Sequence, residues 1–203
     1  MSKELKKEKK RRSREHRVLL LGCGEAGKST FIKQMRIINS EGFSDEERVA
    51  IKVDIAANIV SAIQTLLANS VGDWAEAGLE DDVNVVESLP QRPNVAEVRE
   101  HAERIEKLWN HPIAQEAYER RNRFQLVECA KYFLSKVNEV LEEEFMPSDQ
   151  DIVHTRVKTT GIIEHDFHLS SGGGEKPRKL IFVSYDFFLE RKISFKAQPF
   201  TLD

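Results

Sequence analysis

The chain has 203 residues, 40% of them hydrophobic and 32% charged, with a net charge of −3. This is the composition of a globular chain of one or two domains with a polar surface, and its slightly acidic balance excludes a general nucleic-acid binder. No run approaches the roughly 18 consecutive apolar residues of a membrane span, and Cys23 and Cys129 form neither a disulfide framework nor a zinc spacing, which points to a reducing, cytoplasmic setting.

The charge is uneven. Residues 1–17 carry nine Lys/Arg and three Glu, a net +6, so the remainder carries −9. Segment 1–16 reads either as a solvated terminus or as a basic surface for an acidic membrane or partner, which would give peripheral membrane association. No secretory leader is expected. Position 2 is Ser, so the glycine needed for myristoylation is missing, and no cysteine precedes Cys23.

Residues 17–21 form an aliphatic run expected to be a buried strand. Gly22, Cys23, Gly24, Glu25, Ala26, Gly27, Lys28, Ser29 and Thr30 follow, fitting G-x-x-x-x-G-K-[ST]. Phe31, Ile32, Met35, Ile37 and Ile38 then recur with a helical period. Strand, glycine loop and helix are the setting in which this pattern binds phosphate. The glycines let backbone N–H groups turn inward, and the helix N-terminus adds partial positive charge. Lys28 is expected to reach the β- and γ-phosphates and Ser29 to ligate Mg²⁺. The plainer alternative is a glycine-rich turn without a ligand; the Lys-Ser pair and both flanks weigh against it.

Residues 39–150 read as helical. Ser44 to Glu47 is a capping box ahead of a stripe of Ile51, Ile55, Ile59, Ile63 and Leu66. Residues 69–91 read as a loop, broken by Gly72, Gly78 and Pro90. A second helix is expected from Asn94, with Glu97 closing a second capping box, and Pro112 starts a third. Residues 122–144 read as one continuous fourth helix. Four such helices suffice for a small bundle, and their apolar stripes read as core. Ile163, His165, Phe167 and Leu169 then alternate with polar residues as in a strand, 170–174 is a turn, and Leu180 to Val183 reads as another strand.

Two motifs carry a resemblance. Gly22 through Thr30, followed by Lys33-Gln34-Met35-Arg36-Ile37, resembles the GAGESGKST loop of heterotrimeric G-protein α subunits. Thr155-Arg156-Val157-Lys158-Thr159-Thr160-Gly161-Ile162 resembles their first switch segment. Tyr118-Glu119-Arg120, Cys129 to Leu134 and Pro147 to Asp151 look most like the stimulatory subclass. The resemblance covers about residues 15–169. It implies an α/β fold, a Ras-like P-loop GTPase domain (17–38 and 152–203) with an inserted all-α helical domain (39–151), and nucleotide bound between the two. It further implies GTP or GDP as ligand and Mg²⁺ held by Ser29 and Thr159. Arg156 would be an arginine finger in cis, sharing catalysis with Lys28. Glu25, Val153, His154 and Thr155 would line the nucleotide, with Glu128 and Cys129 approaching it. The partners implied are a G-protein βγ dimer, a G-protein-coupled receptor and an adenylyl cyclase-type effector, at the cytoplasmic face of the plasma membrane.

The departures set further expectations. Ala26 stands at a family serine. No Asp-x-Gly-Gly-Gln segment, Asn-Lys-x-Asp motif or C-terminal receptor-binding helix is found, and Gly173-Gly174-Glu175 reads as accidental. The GTPase domain is therefore expected to be cut short after its second strand, with unrelated sequence from 170 onward and an exposed sheet edge. Three readings compete: a GTP-hydrolysing α chain, a non-catalytic interaction module acting through its helices or basic terminus, and a different P-loop enzyme such as a small-molecule kinase. The spacing of Arg156 to Thr159, with the helical stretch, argues against the third.

Overall fold

The computed structural model describes residues 15–22, 26–39, 42–157, 162–169 and 178–186. The basic segment through residue 14, Cys23, Gly24, Glu25, Thr159 and the Gly173 to Glu175 stretch lie outside them. The chain divides into two compact units, residues 41–157 and residues 1–40 with 158–203.

In the second unit, strands β1 (Glu15–Gly22), β2 (Ile162–Leu169) and β3 (Arg178–Asp186) form a sheet of order β1-β3-β2. β3 is central, parallel to β1 and antiparallel to β2. The register sets Val18 and His165 beside Phe182, and Phe167 beside Leu180. Because side chains alternate across a strand, these residues share one face. Helix α1 (Lys28–Asn39) supplies Ile32 to it, buried with Phe167 and Phe182 and flanked by Leu20, Met35 and Leu180. Phe31 meets the Phe182 ring edge-on at 5.4 Å. The alternation expected in β2 holds: Phe167 is buried, Ile163 and His165 are half-buried, and Glu164 and Asp166 are exposed. β1 departs from the buried strand expected. Leu19 and Leu21 point to the side that α1 does not cover and are 58% and 65% exposed.

Residues 41–157 are helical. α2 (Asp45–Ala68) starts at the expected capping box, with Ser44 Oγ accepting from Glu47 N and Glu47 Oε2 accepting from Ser44 N. Its 24 residues would span about 36 Å at 1.5 Å per residue. Ile55, Ile59, Ile63 and Leu66 are fully buried, each contributing roughly 1.5–3 kcal/mol by removal from water.

The stretch read as a loop contains α3 (Glu80–Glu87). Three acidic residues favour its N-terminus, and Val83 and Val86 join the core. The helix expected from Asn94 is two, α4 (Val95–Glu100) and α5 (Ala102–Asn110), parted at His101. Asn94 caps Ala96 N, and Glu97 forms no capping box. α6 (Pro112–Glu119) begins at the proline as expected.

Residues 122–144 are not one helix. A 3₁₀ turn (Arg121–Arg123) is followed by α7 (Ala130–Leu134) and α8 (Val137–Leu141). The break falls at Lys136, whose φ of −134° is not helical. Its ammonium is spent on Asp151 and on the Tyr132 ring, 3.9 Å away. A further helix, α9 (Asp149–His154), opens on a capping box of Ser148 and Asp151. Arg48 donates to Pro147 O at 2.6 Å, and Lys52 to the carbonyls of Glu142 and Glu143, which fastens α2 to the chain just before α9.

Candidate nucleotide-binding residues

In the sheet unit, β1 ends at Gly22 and α1 begins at Lys28. Gly27 precedes the helix with φ +77°, a left-handed conformation that L side chains rarely adopt. Its carbonyl accepts from Phe31 N at 2.8 Å, closing the first turn. The Lys28 stem folds back over the strand end, and its Nζ donates to Gly22 O at 2.8 Å. A Cβ at Gly22 would lie 3.0 Å from Ala26 Cβ and 3.7 Å from Lys28 Nζ, so this glycine is needed for close approach.

Ser29 sits half-buried in the first turn of α1, which carries no acidic residue. The first backbone N–H groups of a helix have no intrahelical partner, so this corner presents donors, a cation and a hydroxyl together. That is a donor set for polyphosphate, and the hard hydroxyl oxygen of Ser29 suits Mg²⁺, which takes few protein ligands and completes its shell with water and phosphate. No cluster of three or more His, Cys, Asp or Glu that could hold a metal occurs among the described residues.

The Arg156 segment belongs to the helical unit. Its foundation is Asp151. This buried carboxylate accepts from Tyr132 Oη (2.9 Å), Ser148 N (2.8 Å), Ser148 Oγ (2.6 Å) and Lys136. Burial raises its pKa, but the hydrogen bonds from Lys136 and Ser148 outweigh this and hold it below the usual carboxylate range. Lys136 is correspondingly held above the usual lysine range: burial works against its charge, and the bonds to Asp151 and Tyr132 prevail.

α9 then ends at Thr155, whose buried hydroxyl donates to Asp151 O at 2.7 Å. Next, Arg156 N donates to Asn58 Oδ1 at 2.7 Å, while Asn58 Nδ2 donates to Arg156 O at 2.9 Å. Arg156 itself is exposed. His154, also exposed, stacks on Tyr132 with ring centres 4.0 Å apart, and Val153 is half-buried. Glu128 is exposed, whereas Cys129 is buried and its Sγ donates to Asn58 Oδ1 at 3.1 Å.

The structure thus brings together Gly22, Ala26, Gly27, Lys28 and Ser29 in one unit, and Cys129, Thr155 and Arg156 in the other. The sequence reading missed Asn58 and Asp151. Asn58 carries a signal in retrospect: it is an amide adjoining Ile59 on the most apolar helix of the chain, where a buried polar group needs partners.

A strand ending at Gly22 and a helix opening at Lys28-Ser29 after Gly27 are the setting in which the G-x-x-x-x-G-K-[ST] pattern forms a phosphate-binding loop. A family model described as "G-protein alpha subunit" matches residues 1–193, which overturns the expectation of unrelated sequence from 170 onward and of a domain cut short after its second strand: residues 178–186 form β3, the strand that pairs with both β1 and β2. The chain is 36% identical over 191 residues to the "Guanine nucleotide-binding protein G(s) subunit alpha" of Homarus americanus, covering 88% of this chain and 50% of that protein. The protein of the same name from Drosophila pseudoobscura pseudoobscura matches with the same identity and coverage. This chain belongs to the G-protein alpha subunit family, which is built on a Ras-like GTPase domain, and spans about half the length of the relatives it matches.

Proposed function

We propose that this chain is a guanine-nucleotide-binding signal transducer that binds GDP or GTP with Mg²⁺ and hydrolyses GTP. The observation that carries the reading is Lys28 Nζ held 2.8 Å from Gly22 O at the mouth of α1, in a chain of this family. Gly22 through Thr30 wrap the phosphates in this reading, and Lys28 neutralises the β- and γ-oxygens. Ser29 and Thr159 hold Mg²⁺, which when bound offsets charge on those same oxygens. Val153, His154, Thr155, Glu128 and Cys129 are further nucleotide contacts in this reading, Cys129 being buried and bonded to Asn58. Arg156 supplies a guanidinium to the charge that develops on the transferred phosphoryl group, an arrangement for which G-protein alpha subunits are themselves a standing example.

The domain division that goes with this reading is a Ras-like domain from 17–38 and 152–203 interrupted by an all-helical insertion, 39–151. The packing of Ile152, Thr155 and Arg156 supports carrying the insertion's helical unit on to residue 157. Partners of the family's type, a βγ dimer, a receptor and a cyclase-type effector, and a place at the cytoplasmic face of the plasma membrane through segment 1–16 belong to the same reading.

Binding of a fluorescent GTP analogue, with and without Mg²⁺ and with ATP as competitor, tests it. Removing one partner of a desolvated charge pair costs enough that Lys28→Ala is expected to weaken binding at least about thirtyfold. Unchanged affinity in Lys28→Ala rejects the loop's role, and equal competition by ATP rejects guanine selectivity.

A further inference from the structure

We propose that Asn58 is the positioning residue of Arg156, an inference that rests on the reading of Arg156 as the group that stabilises the transferred phosphoryl. Asn58 lies on α2, 98 residues away in sequence, yet both ends of its amide engage the Arg156 peptide. The amide's orientation is fixed by its partners. A backbone N–H only donates, so the atom facing Arg156 N is Oδ1. A carbonyl only accepts, so the atom facing Arg156 O is Nδ2. The side chain therefore pairs with the main chain of a residue outside regular structure much as a neighbouring strand would.

Two features make this clamp stiff. Asn58 is only 9% exposed and adjoins Ile59 on a helix where Ile55, Ile59 and Ile63 are fully buried, so its Cα cannot drift without opening the core. Its Oδ1 also accepts from Cys129 Sγ, which opposes rotation of the amide. On the other side, Thr155 is tied to Asp151 O through both its N–H and its hydroxyl. The main chain of residues 155 and 156 is thus held from two directions while the Arg156 side chain is directed outward from the core. Fixing the Cα–Cβ vector of a long side chain lowers the entropy lost when its guanidinium engages charge, and positioning is the main contribution a protein makes to phosphoryl transfer.

The effect is specific to the transferring group. Nucleotide held by the phosphate-binding loop alone does not require Arg156 to be in register, whereas a mimic of the phosphoryl group in flight does. The test compares the full chain with Asn58→Leu, Asn58→Asp and Arg156→Ala. The readouts are the affinity for GDP with Mg²⁺, the affinity of the GDP-bound chain for aluminium fluoride, and hydrogen exchange at the Arg156 amide.

Asn58→Leu is expected to leave GDP affinity within about twofold but to weaken aluminium fluoride binding on the order of tenfold, as Arg156→Ala does. The double variant should be no worse than either single one. Asn58→Asp keeps the acceptor for Arg156 N and loses the donor to Arg156 O, so it should fall between. Exchange at Arg156 should be slow in the unaltered chain and fast in Asn58→Leu.

Equal loss of GDP and aluminium fluoride binding in Asn58→Leu would overturn the proposal in favour of a purely structural asparagine. So would Arg156→Ala losing aluminium fluoride while Asn58→Leu retains it. An inert Arg156→Ala would remove the reading of Arg156, and an unaltered chain that binds no GDP would remove the nucleotide reading; either result takes this proposal with it. Slow Arg156 exchange retained in Asn58→Leu would refute the clamp itself, whatever the nucleotide results. Should Asn58→Leu fail to fold, Asn58→Asp carries the same comparisons.

Discussion

The two units of this protein differ most in how they are held together. In residues 41–157, one long helix runs through a continuous core that includes Ile55, Ile59, Ile63, Leu66, Ile105, Leu108, Phe133 and Leu141, all at or near zero exposure. In the sheet unit, the buried cluster among the described residues is Ile32, Phe167 and Phe182, with Leu19 and Leu21 facing outward. Burial scales with the number of layers that close over a core. Several helices pack along the apolar stripe of α2, although Val49 and Val53 near its start are exposed, whereas in the described sheet α1 covers one face and, on the other, Ile181 of the central strand is buried while Leu19 and Leu21 of β1 are exposed. Among the described residues the larger buried core is therefore helical, and the turn between Gly22 and Lys28 adjoins the smaller one.

The sharpest way to break that contrast is to remove a ring from the helical core. Phe133→Ala is expected to cost about 3–5 kcal/mol, enough to lower or abolish the cooperative melt of residues 41–157 expressed alone, followed by circular dichroism. The unaltered fragment should melt cooperatively, because its caps and core are internal to it; a broad, non-cooperative melt would show that the helices depend on the rest of the chain.

An intermediate effect is expected from Asp82, which accepts from Arg104 and from Lys107, the latter at 2.9 Å. The hydrogen bond from Lys107 leads in holding its pKa down, with Arg104 assisting against burial. A depressed carboxylate contributes stability that is present above its unfolded pKa and is lost as pH falls through the folded one. The melting temperature of the fragment should thus fall as pH drops below about 4, and Asp82→Asn should start about 1–2 kcal/mol less stable and show a shallower acid limb. Parallel acid limbs in the two proteins would remove Asp82 from the account.

The smallest effect should come from the exposed apolar residues of β1. Leu19→Ser is expected to change stability by no more than about 0.5 kcal/mol, whereas Phe182→Ala, on the covered side, should cost about 3 kcal/mol or more. Chemical denaturation of the full chain separates them. A large loss in Leu19→Ser would mean that Leu19 is closed over as Ile181 on the same face is.

Local chemistry was legible in the sequence and long-range chemistry was not. The Ser44 box, the strand before Gly22, the helix at Lys28 and the alternation in β2 could all be read because each depends on residues within a few positions. The broken helix at 122–144 could not. Its apolar residues keep a helical period, but Lys136 leaves the helix for Asp151, 15 positions on. α9 was hidden because its capping box uses Asp151 in place of the usual glutamate or glutamine. Of the candidate site, the glycines and Lys28 announced themselves by motif. Asn58 did not, since its partner lies 98 residues away and no pattern in α2 names it.

The two glycines that frame the loop restrict the history this sequence can have in different ways. At Gly22 the obstacle is a neighbour, the methyl of Ala26 3.0 Å from where a Cβ would stand. A lineage could therefore exchange the residues as a pair, an alanine at 22 becoming admissible once 26 is glycine. At Gly27 nothing lies within 4 Å of the added carbon, and the obstacle is the chirality of the backbone at φ +77°. No second substitution elsewhere relieves that. Position 22 is thus open to compensated drift while position 27 is closed to it, and a suppressor screen begun from Gly22→Ala should recover changes at Ala26, whereas one begun from Gly27→Ala should return only true revertants.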